Sequence, residues 1–341
     1  MPTWVILLSV MKISRWLGLI GLLALALVFI FNIKYFHDFV GLASRAKWYV
    51  LLLIVAAQAL SYYCNAKYYQ AFFKLFGYSL ATRPLFEAAL AINFVNQVFP
   101  SGGVSGSSYL SRLLQHEVPV GKSTLAQLGY YVFTFISFLL VLATGFILLF
   151  LGNNLSKVTV RIVLFFVLLI IIVSLLLITV VADRKRVEWV VEAGARALNS
   201  LGRRVFKRKK VIVSHEQLSG FFDEFYEGYH FLLEERGKWR LLLSYCLGGN
   251  IAEVATIYVV FLAFGSLINP GVVIIAYTLA NMLSIISIVS AGAGLYEATM
   301  VGSFAALGVP FALALSIVVV YRVLNFVLFL PAGYWVYRKN V

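Results

Sequence analysis

Charge is scarce in this chain. Of its 341 residues, 12% are Asp, Glu, Lys or Arg and 62% are apolar, whereas roughly a quarter of an ordinary soluble domain is charged. So few charges cannot cover a water-soluble surface, which sets aside cytosolic enzymes and nucleic-acid-binding modules. Cysteine is almost missing. Cys64 and Cys246 each sit in an apolar run with no second Cys or His at ligand spacing, so neither a disulfide framework nor a zinc site is readable. Aspartate is nearly as rare: Asp38, Asp183 and Asp223 all fall outside the apolar runs, which removes Asp-rich metal sites for pyrophosphate or nucleotide-sugar chemistry from the membrane core. The four histidines, His37, His116, His215 and His230, lie in loops or near the ends of apolar runs, and none has a Cys or Asp at ligand spacing. Metal and triad catalysis have no residues to stand on, and no cofactor is expected.

What is present is apolar length. A span needs about 20 mostly apolar residues at ~1.5 Å each to cross a ~30 Å hydrocarbon core. Six stretches meet that test: 16–33, 48–66, 121–150, 162–182, 239–264 and 311–336. The first is too long for a cleaved leader and is followed by no small-residue cleavage site, so it reads as a retained span. Met11, ahead of Lys12 and Arg15, offers a second start beside Met1. Two further apolar regions, 85–118 and 271–308, are interrupted by Pro100-Ser-Gly-Gly-Val-Ser-Gly106 and by Ser290-Ala-Gly-Ala-Gly294. Each reads as a re-entrant helical hairpin with an unwound tip. Pro84 and Pro119 bracket the first and Pro270 and Pro310 the second, as expected of a residue tolerated at a helix start and disruptive further in.

The basic excess sets the orientation. Segment 183–238 carries Arg184, Lys185, Arg186, Arg203, Arg204 and the run Lys207-Arg-Lys-Lys210, so the positive-inside rule places it in the cytoplasm. Counting crossings outward then puts both termini inside, a multi-pass plasma (inner) membrane protein. Segment 203–210 also suits an anionic lipid surface. The two amphipathic stretches around it read either as interfacial helices or as a docking surface for a separate lipid-modifying enzyme or glycosyltransferase.

An internal repeat emerges from that count. Val118-Pro119 and Val309-Pro310 lie 191 residues apart, as do Tyr130 and Tyr321, Phe135 and Phe326, and Trp48 and Trp239. The single integral membrane domain 1–341 then divides into a first repeat 16–150, an extracytoplasmic linker 151–161, and a second repeat 162–336 that contains loop 183–238. Each half crosses an odd number of times, so the halves are inverted, the layout secondary transporters use to build a midplane site. The alternative is an eight-span bundle with glycine kinks. Either way the fold class is an all-α polytopic membrane protein.

Ionisable groups at membrane depth are expensive and mark candidates for function. These are Glu87, Glu253, Glu297, Arg112 and Arg322, accompanied by Asn93, Asn96, Gln97, Asn250, Asn281 and Asn325. Glu297 and Arg322 are expected to pair, as a packing salt bridge or as part of an anion site. Glu253 has Arg112 or Arg322 as a partner. The tips add backbone N–H groups at helix starts, which suit phosphate or carboxylate, with Ser101, Gly102, Gly103, Ser105 and Gly106 at the first and Gly292 and Gly294 at the second.

At these tips the chain resembles a known family. Asn93-Phe-Val-Asn-Gln-Val-Phe-Pro-Ser-Gly-Gly-Val-Ser-Gly106, Ser290-Ala-Gly-Ala-Gly-Leu-Tyr-Glu297, Leu307-Gly-Val-Pro310 and Tyr321-Arg322 are similar to the membrane region of the lysylphosphatidylglycerol synthetase/flippase family. Gly102, Gly103, Gly106, Gly292, Gly294, Glu297 and Arg322 match its pattern. Ala291, Tyr296 and Ser107 depart from it, where proline, a basic and an acidic residue are common. The resemblance implies a flippase-like protein. The chain stops at Val341, soon after the last span, so a fused synthetase domain is not expected. The expected function is translocation of an anionic, aminoacylated or polyprenyl-phosphate-linked lipid by a transporter rather than an enzyme. The alternatives are a membrane-embedded lipid transferase and a non-transporting partner of a lipid-modifying enzyme.

Overall fold

The computed structural model describes residues 46–98, 104–152, 226–286 and 294–340, with isolated helical positions between 168 and 189. The expected span 16–33, nearly all of span 162–182, nearly all of 183–225 in the loop, and tip residues Ser101, Gly102, Gly103 and Gly292 lie outside the described residues. Regular structure among the described residues is entirely helical. A 3₁₀ turn, Trp48–Leu51, leads into α1 (Leu52–Leu75), followed by α2 (Thr82–Val98), α3 (Val104–Leu113) and α4 (Val120–Leu151). After residue 226 come α5 (Trp239–Ala263), α6 (Pro270–Ile286), α7 (Leu295–Ala306) and α8 (Phe311–Asn340).

Four of these helices, α1 and α5 with their leading 3₁₀ turns, α4 and α8, are long and apolar enough to cross a membrane. The two interrupted regions form helix pairs instead. At ~1.5 Å per residue α2 and α6 are each about 25 Å long and α3 and α7 about 15–18 Å, short of a ~30 Å core. Four helices, α1 and α5 among them, outrun or match their apolar runs. The apolar reading of α1 stops at 66, yet the helix continues to Leu75 because Tyr68, Tyr69, Phe72 and Phe73 are buried, with Tyr69 stacked on Tyr130 of α4 and Tyr68 edge-on or tilted to Tyr130 and Phe133. α8 runs through Pro331, whose missing N–H leaves one carbonyl of the preceding turn unbonded within the helix.

α1 and α5 pack antiparallel. The Lys47 amide donates to Ala263 O at one end (2.7 Å), Gln58 and Ser61 meet Glu253 at the centre, and Gly248 and Gly249 lie against Cys64 and Asn65 beyond it. Small residues permit this approach, as is usual between membrane helices. Both helices stop in the same way. Gly77 (φ 82°) and Gly265 (φ 70°) adopt left-handed backbone, and Tyr78 N and Ser266 N reach back to Phe73 O and Phe261 O, a glycine C-cap that satisfies otherwise orphaned carbonyls.

The shorter helices pack on long helices distant in sequence: α2 along α8, and α6 along α4. Glycine makes both crossings close. A Cβ on Gly333 would stand 2.6 Å from Leu90 O, and one on Gly271 would stand 2.5 Å from Gly145 O. The apolar core divides in two as a result. One cluster joins the start of α1, the ends of α4 and α5, α6, α7 and the start of α8. The other joins the end of α1, α2, α3, the starts of α4 and α5 and the end of α8. Five of the buried polar residues, Gln58, Ser61, Ser137, Asn250 and Thr256, lie on α1, α4 and α5 where the two clusters meet.

Candidate functional site

The polar belt lies along the middle stretches of the long apolar helices. Glu253 lies about 15 Å from the end of α5 at Ala263, and Arg322 about 16 Å from the start of α8 at Phe311. Half of a ~30 Å core is the same distance.

Arg322 and Glu297 meet as expected. Arg322 Nε donates to Glu297 Oε1 at 2.5 Å, both side chains 16% exposed, and the guanidinium stacks on the Tyr296 ring, 4.2 Å from its centroid. The other Glu297 oxygen accepts from Gly294 N (2.6 Å). Gly294 holds φ 86° at the start of α7, a conformation that glycine adopts without strain. The helix start therefore does not offer all its N–H groups to a ligand: Glu297 already occupies one. The first tip repeats this, with Gly106 N donating to Asn96 Oδ1 (2.9 Å). Helix starts leave N–H groups without intrahelical partners, and at each tip a side chain of the chain itself accepts from one of them.

Glu253 is bound by neutral donors instead of a cation. Gln58 Nε2 donates to its Oε2 (2.8 Å), Ser61 Oγ to its Oε1 (3.0 Å) and the Tyr321 hydroxyl to its Oε2 (3.3 Å). Arg322, foreseen as a partner, is committed to Glu297. Arg112, the other, stands exposed in the last turn of α3. Tyr321 and Arg322, consecutive in α8, thus link the carboxylate to the ion pair, with the Tyr296 hydroxyl beside that of Tyr321.

Two further pairings tie the shorter helices α2 and α6 to the central helices. Asn93 Nδ2 of α2 donates to the Tyr62 hydroxyl of α1 (2.6 Å), and the Tyr277 hydroxyl of α6 to Asn250 Oδ1 of α5 (3.1 Å). Asn250 also donates to Ser137 Oγ of α4 (2.9 Å). Ser105 and Gly106 occupy the first turn of α3. Glu87 lies far from this belt, at the base of the first hairpin, between Arg83 (3.4 Å) and Lys339 (3.9 Å). Gln58, Ser61 and Tyr296 escaped sequence reasoning. The first two are ordinary polar residues in a span, and Tyr296 appeared only as a departure from a motif.

Helices of this length and apolarity around a belt of polar groups define a polytopic helical membrane protein. Residues 15–333 match the family described as the lysylphosphatidylglycerol synthase TM region, and the chain belongs to that family. A UPF0104 membrane protein of Methanocaldococcus jannaschii is 22% identical over 310 residues, covering 84% of this chain and 83% of its own. A UPF0104 membrane protein of Methanothermobacter thermautotrophicus is 41% identical over 76 residues, which is 22% of this chain and 23% of that relative.

Proposed function

We propose that the chain is a lipid translocase that takes a phosphate-bearing headgroup at the α6–α7 tip. One observation carries the reading: a carboxylate, Glu297, bridges the Arg322 guanidinium and the Gly294 N–H at mid-depth. Its two oxygens sit where two oxygens of a phosphate would, against a guanidinium fork and a helix start, the combination that favours anions. Glu297 is then an internal stand-in. An arriving headgroup displaces it, gains Arg322 and the α7 start, and leaves when Glu297 returns. A site that closes on itself in this way holds its ligand weakly enough to release it, which a carrier needs.

The architecture supports alternating access. α1–α4 and α5–α8 follow the same order of long helix, helix pair and long helix, with lengths of 24 and 25, 17 and 17, 10 and 12, and 32 and 30 residues. Antiparallel contact between α1 and α5 is what an inverted repeat requires where its axis passes through the membrane plane. The Tyr130 hydroxyl donates to Asn65 Oδ1 as the Tyr321 hydroxyl donates to Glu253, one bond in each half. We read α2–α3 and α6–α7 as re-entrant hairpins entering from opposite sides. The end carrying Lys74, Arg236, Lys238, Arg338 and Lys339 is taken as cytoplasmic. Transport of labelled phospholipid between leaflets of reconstituted vesicles tests the reading: wild type moves it, and Arg322→Gln does not.

A further inference from the structure

Glu253 faces no cation. It lies in α5, one of the helices apolar enough to span a membrane, where an ionisable side chain is costly and marks a proton or ion pathway. No ion pair among the described residues involves it. The titratable side chains facing it from the surrounding helices are Tyr62 of α1, Tyr130 of α4, Tyr277 of α6, Tyr296 of α7 and Tyr321 of α8. Each is neutral below about pH 10. The charges beyond them, Arg322 and Glu297, are paired with each other. A carboxylate so placed becomes neutral by taking up a proton.

The hydrogen bonds around Glu253 suit the carboxyl with or without that proton. To the ionised form Gln58 Nε2 donates at Oε2 (2.8 Å), Ser61 Oγ at Oε1 (3.0 Å) and the Tyr321 hydroxyl at Oε2 (3.3 Å). N–H and O–H donors face the carboxylate, not lone pairs, so the cluster accommodates a proton and not a metal ion. Ser61 and Tyr321 are hydroxyls, which accept as well as donate. Gln58 is 1% exposed and its Oε1 has no hydrogen-bond partner, which costs free energy comparable to a lost hydrogen bond. A half-turn of the amide puts Oε1 in the place Nε2 now holds, as acceptor for a proton on Glu253 Oε2. Thr256 Oγ1, the other neighbour of Nε2 (3.3 Å), is a hydroxyl that serves either orientation. Glu253 is only half-buried, so a proton can reach it.

We propose that Glu253 binds and releases one proton, and that this proton is the ion coupled to lipid movement. On gaining it the carboxyl releases the Tyr321 hydroxyl, one residue from the Arg322 that holds Glu297. Proton binding is independent of lipid; the coupling rests on the translocase reading. Infrared spectra of purified full-length protein in detergent are titrated from about pH 4 to 9, the range in which buried carboxyls exchange protons. A protonated-carboxyl band that grows as pH falls, is lost in Glu253→Gln and is kept in Glu87→Gln is expected. Removing a donor to the ionised form moves the midpoint of that band to higher pH, by about one to two units for Gln58→Leu and Ser61→Ala. Those two variants carry the test if gel filtration and circular dichroism show that Glu253→Gln is misfolded. Absence of the band from wild type, or a band that every folded variant leaves unchanged, overturns proton binding. For the coupling, transport of labelled phosphatidylglycerol in vesicles at the same pH values should change by up to about tenfold per pH unit. That dependence should vanish in Glu253→Gln and move with the infrared midpoint in Gln58→Leu. Rates independent of pH overturn the coupling while the translocase reading stands. No transport at any pH overturns that reading and the coupling together, and the infrared titration still decides proton binding.

Discussion

Glu297→Gln separates a stand-in for substrate from a packing salt bridge. Opposite charges about 4 Å apart attract by ~4 kcal/mol at an effective dielectric of ~20, and both side chains here are mostly buried. A headgroup that displaces Glu297 works against that attraction. Gln keeps a hydrogen bond but not the charge, so a fraction of it, ~1.5–3 kcal/mol, returns as tighter phosphate binding, about 10- to 150-fold. Arg322→Gln removes charge-assisted bonds of similar size and weakens binding by a like factor. Both variants are less stable without lipid. Glu297→Gln removes the carboxylate that faces the Arg322 guanidinium, at a cost of ~3–5 kcal/mol that the Tyr296 ring offsets by ~0.5–2 kcal/mol. The assay is thermal unfolding in lipid-free detergent with phosphatidylglycerol titrated back, since a ligand of the folded state raises stability in proportion to the logarithm of its occupancy. The half-saturating lipid concentration should fall for Glu297→Gln and rise for Arg322→Gln. Shifts in the same direction would refute the stand-in, because a bridge that only packs helices damages the site whichever partner is lost.

Two further outcomes follow from the packing. Gly333→Ala should destabilise the protein by ~1–3 kcal/mol, because its Cβ would meet Leu90 O at 2.6 Å and the backbone of α2 would have to move. Gly302→Ala, with open space at the same position on α7, should be neutral or stabilise by up to ~1 kcal/mol; equal melting temperatures for the two would contradict the crossing. Gly248→Cys in a Cys246→Ala background should form a disulfide with Cys64 on mild oxidation, since the new Cβ stands 3.1 Å from Cys64 Sγ. Failure of a cross-linked peptide to appear by mass spectrometry would argue against the antiparallel register of α1 and α5.

Much of this architecture is legible in the sequence, because membrane helices announce themselves by apolar length and breaks between shorter helices by glycine and proline. The starts of α4, α5, α6 and α8 fall within a residue of the expected limits, and Pro119, Pro270 and Pro310 set three of them. The Glu297–Arg322 pair was also legible, since two opposite charges at similar depth have few other partners. Register between distant helices was not. Gln58 and Ser61 reach Glu253 from 195 and 192 positions away, and no periodicity encodes which turn of α1 faces which turn of α5. The aromatic end of α1 was hidden by Lys67, Gln70 and Lys74, polar residues that lower its hydropathy while its tyrosines and phenylalanines are buried. The tips looked open to a ligand because sequence shows which N–H groups a helix start leaves unpaired, not which side chain folds back to cover them.

Lipid movement through the α6–α7 tip is tested most directly in vesicles carrying a nitrobenzoxadiazole-labelled phosphatidylglycerol, with dithionite added outside. Without translocation about half the label stays protected in the inner leaflet. Vesicles containing the wild-type protein should lose most of that protected fluorescence, and those containing folded Arg322→Gln should keep it. Protection that persists with wild type, or is lost equally with Arg322→Gln, would contradict the account.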